Sequence, residues 1–109
     1  MIDAEDGLES KYGSMLRSAS FEKFAAELHG QGFETVVERT WAPSAVMDSH
    51  IHDFAAKALI VRGEMWLTVH DVTQHLTVGE TFELASGVPH SERYGREGAT
   101  YWVGRRGAP

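Results

Sequence analysis

Three histidines carry the metal chemistry open to this sequence. His50 and His52 stand two apart in the stretch Asp48-Ser49-His50-Ile51-His52, and His90 follows after several short β-type runs. In an extended strand the side chains alternate. Histidines two apart therefore face the same way with Cα atoms roughly 6.5 Å apart, and both imidazoles can reach one metal ion at about 2.0–2.1 Å. The pair reads as two metal ligands on one face of a strand. A further donor must come from elsewhere in the chain, and a closed all-β scaffold supplies one by returning a distant strand to the pair.

The elements that must position these residues follow from the periodicity. Phe21, Phe24, Ala25 and Leu28 fall at i, i+3, i+4 and i+7, which predicts a helix over 20–32 with Ser20 as N-cap, Glu22 in the first turn and Gly30 and Gly32 as the stop. His29 beside the stop is a solvated or C-capping residue. Residues 1–19 are polar and unpatterned and read as a poorly ordered arm. After Gly32 the period drops to two: Phe33, Thr35, Val37, Arg39 and Trp41 alternate with their neighbours up to Ala42-Pro43-Ser44. Further runs cover 45–50, 56–61, 64–70, 74–78, 81–84, 89–94 and 99–103, with Gly63, Gly79, Gly87, Gly95 and Gly98 as turn markers. Short strands at this spacing predict an all-β sandwich or barrel over 33–104, followed by a tail at 105–109. His70 and His75 flank a hairpin turn around Asp71-Val72-Thr73 and are surface residues in this reading.

Composition narrows the partners. The 109 residues form one domain of ordinary globular make-up, 42% hydrophobic and 24% charged, able to bury a core without help. Ten basic against sixteen acidic residues give a net charge of −6. That is the wrong sign for neutralising nucleic-acid phosphates or docking on an anionic membrane, so small molecules and other proteins are the expected partners. There is no cysteine, which leaves His, Asp and Glu to build any metal site. The acidic start Met1-Ile2-Asp3-Ala4-Glu5-Asp6 is unlike a signal peptide and no apolar run of membrane-spanning length appears, so a cytoplasmic protein is expected.

Two segments resemble the paired motifs of the cupins, small jelly-roll barrels. The first motif runs glycine, five residues, His-x-His, three or four residues, glutamate, six residues, glycine. Ser44 to Gly63 match it at His50, His52 and Gly63, with Ser44 at the first glycine and Ala56 at the glutamate. The second runs glycine, five residues, proline, one residue, glycine, two residues, histidine, three residues, asparagine. Gly79, Gly87 and His90 keep its register, while Ala85 and Tyr94 replace the proline and the asparagine. The resemblance spans about Phe33 to Val103 and implies an all-β jelly-roll (cupin) β-barrel with one short N-terminal helix. It also implies that His50, His52 and His90 are metal ligands, and that barrels pair as homodimers.

Ala56 has no donor atom, so the implied site is a three-histidine one, unless another acid completes it or the metal has been lost. By alternation Asp48 shares the face of His50 and His52, and Glu92 and Tyr94 share that of His90. Asp48, Glu92 and Tyr94 are thus candidate substitutes for the missing donor, with Asp48 the further candidate ligand beside the histidine pair, and Glu92 and Tyr94 are also candidate proton carriers. Lys57, next to Ala56, should point away from the ligand face. Imidazole donors without a carboxylate suit Zn, Fe, Ni, Cu or Co better than Mn. Neutral ligands leave the ion its full charge, which favours an anionic ligand such as a small acid. Three functions fit these residues: an enzyme of dioxygenase, isomerase or lyase type acting on a small molecule, a non-catalytic, sensor-like module that binds one, or an empty, purely structural barrel that acts through its dimer surface.

Overall fold

The computed structural model describes residues 13–107, with side chains described from residue 20 onward. The elements are α1 (Gly13–Gly30), β1 (Thr35–Trp41), β2 (Val46–His50), β3 (Ala55–Val69), β4 (Val72–Thr77), β5 (Thr81–Leu84) and β6 (His90–Arg106). The architecture is the expected all-β jelly roll with one N-terminal helix. No described helix is long and apolar enough to cross a membrane.

Two long antiparallel strands, β3 and β6, run side by side and each belongs to both layers. Their first layer has the order β1-β6-β3-β5, where residues 99–105 of β6 pair with β1 and Ala56 to Leu59 of β3 pair with β5. The second has the order β2-β6-β3-β4, where His90 to Arg93 pair with β2 and Glu64 to Val69 pair with β4. Both strands bend where the layers meet, at Gly63 and Gly98, with φ of 73° and 74°. A Cβ on Gly63 would collide with the Gly98 carbonyl oxygen, and one on Gly98 with that of Trp41. Only glycine fits this back-to-back crossing.

These bends change which residues face the core. In β3 the inward side chains are Ala56, Ala58 and Ile60 before the bend and Met65 and Leu67 after it; in β6 they are His90, Glu92 and Tyr94 before and Ala99, Tyr101 and Val103 after. Alternation therefore slips by one residue in each strand, at the irregularities in their pairing register. For the same reason the runs 56–61 and 64–70 are one strand, as are 89–94 and 99–103. Gly63, Gly95 and Gly98 lie inside strands, where the sequence pattern placed turns. β6 also takes in Arg105 and Arg106, which the sequence pattern assigned to the tail. The β3–β4 hairpin turns at His70 and Asp71, both at positive φ, one residue earlier than expected, with the backbone twist that suits a two-residue hairpin loop.

The helix begins at Gly13, so Ser20 lies within it and is not its N-cap; of the expected arm, residues 1–12 fall outside the described residues. The apolar face is the expected one. Phe21 and Phe24 pack on Trp102 with ring centroids 5.3 and 5.8 Å away. At the C-terminus the Phe33 N–H donates to the Leu28 carbonyl and the Gly32 N–H to that of His29, with Gly32 left-handed at φ 94°. This is the Schellman arrangement, including its apolar contact, since Leu28 and Phe33 are both buried. The His29 ring closes it, with Nδ1 2.8 Å from the Phe33 carbonyl oxygen. Both apolar residues rest on Gly104 of β6, where a Cβ would meet Leu28 at 2.6 Å. Thus α1 covers the outer face of the first layer, and the space between the layers is left for the core and the site.

Candidate metal centre

β2 and β6 bring the distant histidines together. His50, the last residue of β2, is the register partner of His90, the first residue of β6. His52 lies just beyond β2, in the connection to β3, and its carbonyl accepts the Gly87 N–H at 2.7 Å. The glycine of the second motif thereby ties down the second histidine of the first. One ligand atom from each of His50, His52 and His90 lies within 4.8 Å of the others. Ring centroids are 4.3 Å apart for His50 and His90, 4.9 Å for His50 and His52, and 5.0 Å for His52 and His90.

The tautomers follow from the backbone. His50 Nδ1 lies 2.8 Å from the Asp48 carbonyl oxygen and His90 Nδ1 3.0 Å from that of Val88. A carbonyl only accepts, so each Nδ1 carries the hydrogen and each neutral ring presents a lone pair at Nε2. His90 Nε2 is buried without a hydrogen-bond partner among the described residues. Burial, reinforced by nearby His90 and His50, lowers the pKa of His52 from its usual 6.5, which favours its neutral form. A buried ring nitrogen without a partner among the described residues, beside two more imidazoles, has the chemistry of a divalent-cation site. The residues fit a metal ion.

Glu92 and Tyr94 share the inward face with His90, as alternation predicts. Glu92 is 6% exposed, and its Oε2 lies 3.4 Å from His90 Nε2 and 3.9 Å from His50 Nε2. The Tyr94 hydroxyl donates to Glu92 Oε1, and its ring stacks on Trp41. Tyr94 therefore backs Glu92 and is absent from the cavity wall. Burial, with help from Tyr101 and Glu92, pushes its phenol far above the usual value, which favours the protonated hydroxyl that donates to Glu92. Asp48 does not join the cluster. The β2–β6 register slips between Met47 and His50, so Met47 and His50 both face the cavity and Asp48 is exposed. The regular alternation that placed it with the histidines fails at this bulge.

The histidines open into a cavity of about 100 Å³ between the layers. Ala56, 7% exposed, forms part of its wall and offers no donor. Lys57 points outward as expected, with its Nζ 3.2 Å from Gln31 Oε1 and 3.9 Å from Glu83. Two cations that sequence reasoning missed, Arg39 of β1 and Arg105 of β6, also line the cavity. They lie over the rings of Trp41 and Phe54, at 5.2 and 4.7 Å from the centroids, and neither is in a salt bridge among the described residues. The signal was present for Arg39, which falls on the same strand face as Trp41. Trp41 Nε1, on the same wall, is a buried donor without a partner among the described residues. His75 stands outside the site, paired with Glu64 at 2.7 Å and stacked on Trp66, and His70 sits in the hairpin turn.

No family model and no curated protein matches the chain. Solved structures do match it. An oxalate decarboxylase from Bacillus subtilis with Mn(II) centres aligns at 26% identity and TM-score 0.60, over 65% of this chain and 20% of that chain. An RmlC-like cupin from Shewanella frigidimarina NCIMB 400 aligns at 22% identity and TM-score 0.59, over 67% of this chain and 66% of that one. A DMSP lyase structure aligns at 22% identity and TM-score 0.62, over 67% of this chain and 38% of that one. The chain thus spans about a fifth of the length of the decarboxylase chain it matches.

Proposed function

The chain has the cupin fold, and from that premise we propose that it binds a divalent metal ion through His50, His52 and His90 and acts there on a small carboxylate-bearing molecule. The observation that carries this reading is the convergence of three imidazoles on one cavity, with His90 Nε2 buried and unpartnered among the described residues. When bound, such an ion acts as a Lewis acid and lowers the pKa of coordinated water. The protein's own groups supply the rest. Arg39 and Arg105 are positively charged at a wall otherwise made largely of apolar and aromatic side chains, and the orphaned Trp41 N–H can donate to an acceptor oxygen. In a partly dry cavity these donors favour a carboxylate over a neutral ligand of the same size. An oxalate decarboxylase among the structural neighbours fits a small-acid substrate.

The test has two parts. Elemental analysis of purified protein after incubation with each divalent ion should give about one metal per chain, and His50→Ala, His52→Ala and His90→Ala should each lose it. Equal metal in wild type and variants would sink the assignment. Incubation of metal-loaded protein with small mono- and dicarboxylates should then consume one of them. An acid that binds but is recovered unchanged points to the second reading, a ligand-binding module, which the alanine at position 56 favours.

Pairing of two copies is a further part of the proposal. Val72 and Val78, exposed at 64% and 58% on β4 and the turn after it, support an interface at that edge. Light scattering should give twice the chain mass, and a monomer removes this part.

A further inference from the structure

We propose that Glu92 is the fourth protein ligand of the metal centre, so that the carboxylate missing from β3 at Ala56 is supplied from β6, two residues after His90. The inference rests on the metal-binding reading above and adds a residue to it.

The geometry points to Glu92 by elimination and by fit. Ala56 has no donor, Asp48 is exposed beyond the bulge, and among the described residues Glu92 is the acid that approaches two of the three histidines, His90 and His50, although it lies outside the mutually close group of three ring nitrogens. Ligands held at about 2.1 Å in tetrahedral or octahedral geometry lie about 3.0–3.4 Å from one another. Glu92 Oε2 is 3.4 Å from His90 Nε2, within this range, and 3.9 Å from His50 Nε2, about half an ångström beyond it. With each Nδ1 hydrogen given to a backbone carbonyl, the neutral form of each ring turns its Nε2 lone pair toward the carboxylate. His90 Nε2 has no hydrogen-bond partner among the described residues, Glu92 included. In that form a buried carboxylate faces two lone pairs, an arrangement that a cation between them stabilises.

The two oxygens of Glu92 have different partners. Oε1 takes the Tyr94 hydroxyl, and that donor leaves Oε2 turned toward the histidines. Tyr94 is a positioning residue, held by its stack on Trp41. A carboxylate in the donor set also changes the metal preference. The sequence expectation against Mn rested on an all-imidazole site, and a hard oxygen donor removes that objection.

The experiment is titration of metal-free protein with Co(II) and Mn(II), reading the dissociation constant together with the Co(II) visible spectrum and the Mn(II) EPR signal. Glu92→Gln should weaken binding by 100-fold or more and alter both spectra, as one carboxylate is exchanged for water. Glu92→Asp, which keeps the charge on a shorter arm, should fall between, and Tyr94→Phe should weaken binding with the wild-type spectrum retained. If Glu92→Gln binds within threefold of wild type, or binds more weakly with unchanged spectra, Glu92 is not a ligand. Should the glutamine variant fail to fold, wild-type affinity and spectra in Glu92→Asp would equally rule Glu92 out. Retention of metal by His50→Ala and His90→Ala would instead overturn the three-histidine reading itself.

Discussion

A neutral histidine that gives its Nδ1 hydrogen to a carbonyl offers a lone pair at Nε2, and here His50 and His90 both hold that nitrogen toward Glu92. The phenol behind Glu92 completes the arrangement. Tyr94→Phe removes the donor to a buried carboxylate oxygen, and the expected loss is about 1–3 kcal/mol of metal-free stability. Chemical denaturation of metal-free protein measures it. Alkaline pH tests the same residues. Tyr94 and Tyr101 have phenol pKa values raised above the usual 10.0, in both cases mainly by burial. The unfolded chain then loses these protons at lower pH than the folded one, so the unfolded state binds fewer protons above pH 10 and stability falls as pH rises. The melting temperature should drop steeply above pH 10, and Tyr101→Phe should make the drop shallower. An unchanged slope would show that Tyr101 ionises freely in the folded state.

Among the elements, the two glycine bends explain how short sequence patterns make two long strands. A period-two pattern tells which face is apolar only while the alternation holds, and at Gly63 and Gly98 it slips by one. Those glycines have no room for a methyl group, as the neighbouring carbonyl oxygens show. Gly98→Ala should therefore cost several kcal/mol, through left-handed backbone strain together with overpacking, and appear as insoluble or strongly destabilised protein. Gly79, with open space around its Cβ position, is the control: alanine there carries the left-handed strain alone. The helix depends on a smaller contact. Leu28 is 2% exposed against Phe33 and Gly104, so Leu28→Ala should destabilise by about 2–5 kcal/mol. Hydrogen exchange should show α1 loosening, with β3 and β6 still protected.

The whole molecule carries a net charge of −6, yet the wall of its cavity has a cluster of histidines and two arginines with no salt bridge among the described residues. Acidic surfaces repel anions at long range, whereas the local field inside a low-dielectric cleft is set by the nearest charges. Anion capture should therefore tighten with added metal and weaken in Arg39→Gln and Arg105→Gln, as calorimetry with a small dicarboxylate would read. Metal also stabilises the fold by mass action. An ion at 100 times its dissociation constant adds about 2.7 kcal/mol, a rise in melting temperature on the order of 10 °C for a domain of this size. A chelator should reverse the rise, and His90→Ala should abolish it.

Periodicity and motif spacing are local properties of the chain, and they were enough to specify the β-rich architecture, the helix face that packs, and the spaced histidines that meet. They also put Glu92 and Tyr94 on the face of His90, since no irregularity intervenes between residues 90 and 94. The rest waited on partners distant in the chain. Whether a strand keeps its alternation depends on its neighbour's register, and the bulge after Met47 turned Asp48 out to solvent. Helix length, the merging of strands at Gly63 and Gly98, and the entry of Arg105 into a strand likewise depend on what packs alongside. The neighbourhood of Glu92 belongs with these: alternation makes it a candidate donor, but its approach to both His50 and His90 follows only when folding brings β2 across from β6.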